Sequence, residues 1–427
     1  MKIVDVICVP VRTGFYRDDQ AAIRAGAKHN GFLYDGEPLT PGFTSIREPG
    51  FAVSVMLVLE DGQVAVGDCA EVQYSGVGGR APVFGLDEVL VQLHERVAPA
   101  LRGRDVTQFR ALAEEIDHHV VDGQPLTTAV RYGVTQALLR ATSLASGLTM
   151  AEIVQREYET GIDIAPVALF AQSSDERYVN VDKMILKEVD SLPHALINVV
   201  ESKLGNNGRI LLDYIAWLRE RILTTRRRDT YAPLIHIDTY GTIGVAFDHD
   251  VDRVAHYLGE LAEQASPFRL RVEHPIDAGS RDGQIATYVK LRAALAARHL
   301  DVELVVDEWC NTLDDIREFV AAGAADVIHV KTPDLGGINN SIEALLFVRR
   351  SGLLAYSGGT CNETDISAQV TTQVAMACGA AEVLAKPGMG VDEGIMIVAN
   401  EMARTMALVE SRREPSADDG SRLVSAE

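Results

Sequence analysis

Four short apolar runs in the second half of the chain end in residues that can do chemistry. LIHID closes on Asp238, RLRVE on Glu273, ELVVD on Asp307 and VIHVK on Lys331. Each run is rich in β-branched or aliphatic residues and is followed by turn formers, the pattern of a short buried strand. Successive strand ends then deliver three carboxylates and one ammonium to one rim. A lone Asp at a strand end is more often a cap, and a lone Lys half of a salt bridge. Four at matched positions are much harder to obtain by accident. Three clustered carboxylates without a counter-charge repel, and at least one is driven protonated. A divalent cation resolves this, and oxygen-only ligands favour Mg²⁺ or Mn²⁺ over zinc. Lys331 then gains a role. An amine with a reference pKa of ~10.4 becomes a base once burial and a nearby dication disfavour its charged form. Beside a metal that binds a carboxylate, it suits removal of the proton α to that carboxylate. The reaction class is metal-assisted carbon-acid chemistry.

The elements that must position these residues show a rhythm from about residue 165 onward. Apolar runs recur at 166–171, 184–186, 234–238, 269–273, 303–307, 327–331, 353–357 and about 381–385. Helical periodicity fills several gaps, at 252–264, 285–297, 312–322 and 340–351. Eight strands alternating with helices over about 240 residues predict a parallel (β/α)8 barrel, whose catalytic residues belong at the C-terminal strand ends. The fold class is α/β. Alternation puts Val327, His329 and Lys331 on one strand face, so His329 shares the interior with the base.

Residues 1–160 read as an α+β unit that caps the barrel of 161–411. Strands are expected at 2–9, 52–59 and 63–68, the last two joined by an Asp61-Gly62 turn. Helices are expected near 86–102, 107–118 and 127–146. The stretch 11–50 is rich in Gly, Pro and charge, and so long a connection reads as a lid. The segment from Gln73 to Arg80 lacks the spacing of a phosphate cradle and reads as a turn-rich loop. The tail 412–427 has little to bury and is expected to be disordered.

Of 427 residues, 47% are hydrophobic and 24% charged, ordinary for a globular protein. No apolar run approaches the ~18 residues of a membrane helix, and the start scans as a strand rather than a signal peptide. The net charge of −21 argues against nucleic-acid and anionic-membrane partners, which want a basic face. Five scattered cysteines without a CxxC pair point to a reducing cytoplasm.

Beyond this reading, the residues resemble a known family. Asp, Glu and Asp on strands three to five with Lys on strand six is the enolase-superfamily arrangement. The closer resemblance is to the 3-methylaspartate ammonia-lyases, or methylaspartases. It rests on GDCAEVQYSGVGGR at 67–80, LFAQSSDERY at 169–178, LPHALINVVESKLG at 192–205 and LIHIDTYGTIG at 234–244. It continues through DEWCNT at 307–312, KTPDLGGINN at 331–340, GGTCNETDIS at 358–367 and KPGMGVDEG at 386–394, and ends near residue 410.

The resemblance implies an enolase-superfamily modified TIM (β/α)8-type barrel with an N-terminal α+β capping domain. It implies Asp238, Glu273 and Asp307 as Mg²⁺ ligands, with Mn²⁺ as substitute and K⁺ as activator. Lys331 would take the C3 proton of the (2S,3S) substrate, with His194 as acid/base on the opposite face. Gln172 and Thr360 would hold the substrate carboxylate, helped by the backbone of Cys361, whose Gly-rich turn suits an anion nest. Gln73 would lie near the leaving amine and Leu384 near the alkyl group. His329 stands where the family usually has Gln, and His274 where it usually has Gly. The reaction implied is Mg²⁺-assisted elimination of ammonia from L-threo-3-methylaspartate through an enolate dianion, giving mesaconate. The partners implied are an amino-dicarboxylate substrate and a second copy of the chain. Alternatives are a dehydratase or racemase of the same superfamily, a Schiff-base enzyme using Lys331, and a catalytically weak dicarboxylate-binding homologue.

Overall fold

The computed structural model describes residues 1–71, 74–76, 78–121, 123–388 and 391–413. Three antiparallel strands open the chain: β1 (Ile3–Asp18), β2 (Arg47–Leu59) and β3 (Val64–Cys69), in that order across the sheet. Helix α1 (Thr128–Ser146) packs on them with Ala129, Tyr132, Gly133, Ala137 and Leu138 all buried. Two glycines allow the close approach. A Cβ at Gly67 would meet the Gly133 carbonyl oxygen at 2.2 Å, and one at Gly133 would meet the Cys69 nitrogen at 2.4 Å.

The first strand runs nine residues beyond its expected end. Pro10 pairs with Val53 in the ladder, which an edge strand tolerates because one side needs no donor. The two ends of the expected loop 11–50 are therefore strand, up to Asp18 and from Arg47. What remains holds a short helix, Gln20–Arg24, and a two-stranded turn, Lys28–Asn30 with Leu33–Asp35.

Eight parallel strands close the second sheet into a barrel. They are β4 (Ala168–Phe170), β5 (Ser191–His194), β6 (Leu234–Asp238), β7 (Leu270–Glu273), β8 (Val302–Val306), β9 (Val327–Val330), β10 (Leu354–Ser357) and β11 (Glu382–Leu384). Each pairs with the next in chain order, and β11 pairs back onto β4. The expected helices appear at Val251–Ala265, Arg281–Ala297, Leu313–Ala321 and Ile338–Arg350.

One strand was misplaced by the sequence reading. Met184, Ile185 and Leu186 end a helix, Val179–Leu186, and the second barrel strand is Ser191–His194. Three consecutive apolar residues fit either element, whereas Pro193 disguises the true strand. His194 consequently ends the second barrel strand. The expected disordered tail falls, from residue 414 on, outside the described residues; Arg412 ends the last helix, Asp392–Arg412. Among the described residues, no single helix is long and apolar enough to cross a membrane.

Candidate active site

Parallel register sets the height of the rim. Asp238 pairs with Glu273, and Glu273 with Val305, so Asp307 follows just beyond the end of β8. Lys331 follows directly on β9. All four side chains are buried, Glu273 completely.

Glu273 is the most enclosed. Tyr356 Oη donates to it at 2.8 Å, His236 Nε2 lies 2.9 Å from Oε2, and His329 Nδ1 lies 2.8 Å from Oε1. Burial alone would raise its pKa, but the charge and hydrogen bond of His329 and the bond from His236 hold it well below the usual carboxylate range. Asp307 is likewise held low against burial by Lys331 and His329. Its Oδ1 contacts Lys331 Nζ and lies 3.1 Å from His329 Nδ1. Asp238 behaves differently: burial, then the charge of Glu273, pushes it up to about 6. Its Oδ2 lies 3.3 Å from His194 Nε2, and the Tyr240 N–H donates to Oδ1 at 3.1 Å. Of the three carboxylates, Asp238 is therefore the one that takes up a proton most readily as pH falls.

Two groups of potential ligand atoms lie within 4.8 Å of one another. They are His194, Asp238 and Glu273, and Glu273, Asp307 and His329. Glu273 belongs to both, so it links Asp238 to Asp307. His329 is a partner of the carboxylates themselves. Its Nε2 lies 3.2 Å from the Gly359 nitrogen, while Nδ1 faces Glu273 and Asp307. Burial lowers its pKa, and those two carboxylates more than reverse the effect. His194 follows the same logic through Asp238. His274 turns away: its Nδ1 lies 3.2 Å from Glu308 Oε2, and its carbonyl accepts the Gly241 N–H at 2.7 Å.

A cavity of about 750 Å³, its open mouth included, lies above this rim. Gln172, His194, Thr360, Cys361 and Leu384 line it together with Asp238, Asp307, His329 and Lys331. Gln172 keeps Nε2 buried without a hydrogen-bond partner. Burial pushes the Cys361 thiol up to about 12, so it stays protonated and the sulfur is inert as a nucleophile. The 358–362 turn is braced from below. Glu363 accepts the Thr360 N–H at 3.1 Å and pairs with fully buried Lys386 at 2.8 Å, and Tyr132 of α1 donates to it. Leu384 packs with Phe170, Val305, Val327 and Tyr356 in an apolar cluster. Gln73 lies outside the described residues. The former loop 11–50 supplies Phe15, Asp18, Tyr34 and Arg47 to the cavity wall.

Four contributors went unread in the sequence. His236 shares a strand face with Asp238, and that alternation was the available signal. Tyr356, Glu308 and Arg80 gave no such sign; Arg80 reaches the rim from the cap, its Nη2 lying 3.0 Å from Glu308 Oε1.

A parallel barrel with this rim and a strand-and-helix cap has the enolase-superfamily plan. L-Ala-D/L-Glu epimerase from Bacillus subtilis shares the fold alone, at 15% identity and a TM-score of 0.63 over 93% of this chain and 91% of that one. Closer comparison is decisive. Residues 1–159 match the family model for the methylaspartate ammonia-lyase N-terminus, and 161–411 the model for its C-terminus. The chain belongs to the methylaspartate ammonia-lyase family. It is 55% identical over 413 residues to methylaspartate ammonia-lyase of Clostridium tetanomorphum, covering 97% of this chain and 100% of that one. A Mg complex of β-methylaspartase from that organism superposes with a TM-score of 0.92 at 55% identity, over 97% and 100% of the two chains. The Citrobacter amalonaticus enzyme containing (2S,3S)-3-methylaspartic acid gives 0.94 at 50% identity, over 96% and 100%.

Proposed function

We propose that the protein is a methylaspartate ammonia-lyase, eliminating ammonia from L-threo-3-methylaspartate to give mesaconate. The observation that carries this reading is the placement of Lys331 and His194 on opposite walls of one cavity, above three buried carboxylates. Gln172, with its unpartnered Nε2, Thr360 and the Cys361 backbone are the groups for the substrate carboxylate. Lys331 takes the C3 proton. The C–H electron pair first delocalises into the adjacent carboxylate. It then returns to form the C2=C3 double bond as the C2–N bond of the protonated amine breaks and neutral ammonia leaves. His194 serves the opposite face of C3 and so the erythro isomer. Gln73 is assigned beside the amine and Leu384 beside the alkyl group.

The donor set fits Mg²⁺. Asp238, Glu273 and Asp307 offer only oxygen, and Asp307 and Glu273 are held ionised as a hard cation requires. When bound, the ion supplies the positive charge that lowers the cost of a second negative charge on the substrate's carboxylate. The Mg complex of the Clostridium enzyme supports this choice. Mn²⁺ as substitute, K⁺ as activator, a homodimer and a cytoplasmic setting belong to the same proposal, as do a cap of 1–160 and a catalytic barrel of 161–411.

Turnover of threo-3-methylaspartate beside aspartate and ethylaspartate tests the reading. Fastest ammonia release from the methyl compound is expected. Dehydration or racemisation of another carboxylate without ammonia release would overturn it.

A further inference from the structure

Gly78 and Gly79, just before Arg80, lie against the barrel rim. Gly78 has φ +62°, and a Cβ there would meet the Glu308 side chain at 2.9 Å. Its carbonyl accepts the Asn311 Nδ2–H at 2.8 Å and the Trp309 N–H at 3.2 Å. This docking delivers the buried Arg80 guanidinium among three carboxylates. Nη2 lies 3.0 Å from Glu308 Oε1 and 3.6 Å from Asp307 Oδ2, and Nε lies 3.4 Å from Asp334 Oδ2. All three acids are buried.

Asp307 gives its other oxygen to Lys331 and His329. Arg80 faces the remaining oxygen, Oδ2, with a planar guanidinium that is always charged. Glu308 and Asp334 matter as well. Without a cation between them they are additional buried carboxylates beside Asp307, each able to draw a divalent ion out of place.

We propose that Arg80 is a positioning residue, brought in by the cap, that fixes Asp307 as an ion ligand and keeps Glu308 and Asp334 from competing for the ion. The inference rests on the reading of Asp307 as an ion ligand given above. It makes the ion site a joint product of cap and barrel.

Calorimetric titration of Mg²⁺ alone, without substrate, is the test. Arg80→Ala is expected to bind Mg²⁺ ~10–100-fold more weakly, the usual effect of losing a residue that orients a metal ligand. Free guanidinium ion is expected to restore part of the affinity, a rescue that a merely structural loss would not show. Gly78→Val, which keeps the charge but lifts the loop, is expected to weaken binding in the same way. If Arg80→Ala fails to fold, Arg80→Lys carries the test, since a point charge cannot span three carboxylates. Affinity equal to wild type in the folded variant overturns the proposal. A wild-type protein that takes up no Mg²⁺ overturns instead the ion-ligand reading beneath it.

Discussion

Lys331 and His194 face each other across the barrel. His194 ends the second strand and Lys331 directly follows the sixth, in a closed set of eight where the two are four places apart in either direction. Both reach the same cavity, and each contacts a different carboxylate, Asp307 for Lys331 and Asp238 for His194. As the proposed bases on opposite walls, the two can address the two faces of one carbon between them.

That arrangement predicts a split by substrate isomer. Lys331→Ala is expected to cost ~10²–10⁴-fold in turnover of threo-3-methylaspartate, the usual range for a general base. His194→Ala is expected to cut turnover of the erythro isomer more than that of the threo isomer. Separate rate measurements on the two isomers check this, and equal losses on both would remove the division of labour.

Mg²⁺ binding is expected to weaken in acid. The Asp238 carboxyl, raised to about 6, is protonated below that value in the metal-free protein, and an ion must displace the proton. His194 and His329, both raised by neighbouring carboxylates, add positive charge over the acid range and act in the same direction. Calorimetry on either side of pH 6 should show tighter binding on the alkaline side with protons released on the acid side.

His329→Gln and His329→Leu are expected to differ. Glutamine can still donate to Glu273, whereas leucine leaves both Glu273 and Asp307 short of a donor, a loss of about 1–3 kcal/mol for a buried group. Mg²⁺ affinity in His329→Gln should therefore stay near wild type but depend less steeply on pH, because a titrating neighbour is gone. His329→Leu should bind the ion more weakly at every pH.

Glu71 offers a stability test away from the ion site. Burial lifts its carboxyl to about 7, against hydrogen bonds from the Phe84 N–H and Ser75 and the charge of Arg17. Its ordinary value of 4.5 is lower, so between about 4.5 and 7 the folded chain holds a proton that the unfolded chain has lost. Stability contributed at this position is present below that window and falls as pH rises through it. Thermal midpoints of Glu71→Gln should lose less than wild type between pH 5 and 8, roughly the span of that titration.

Much of the barrel was readable because its strands are short, aliphatic and end in charge. Asp238, Glu273, Asp307 and Lys331 could be placed on one rim before any coordinates, since period-2 runs fix which residue emerges. The second strand was not readable: Pro193 interrupts its pattern, while the helix end at Met184–Leu186 mimics a strand. His194 was therefore reached only through family resemblance. The cap's reach was hidden for another reason. Arg80 and Glu308 are 228 residues apart, and Tyr132 and Glu363 231 apart, so neither pairing leaves a local trace. The first strand's continuation past Pro10 was masked by the residues that normally end strands, which an edge position forgives.

The most direct test follows mesaconate and ammonia together from threo-3-methylaspartate, first with Mg²⁺ and then after chelation and dialysis. Equimolar release of both products with Mg²⁺, loss of both on chelation and recovery on adding Mg²⁺ back is the predicted result. Undiminished elimination after metal removal would contradict the account.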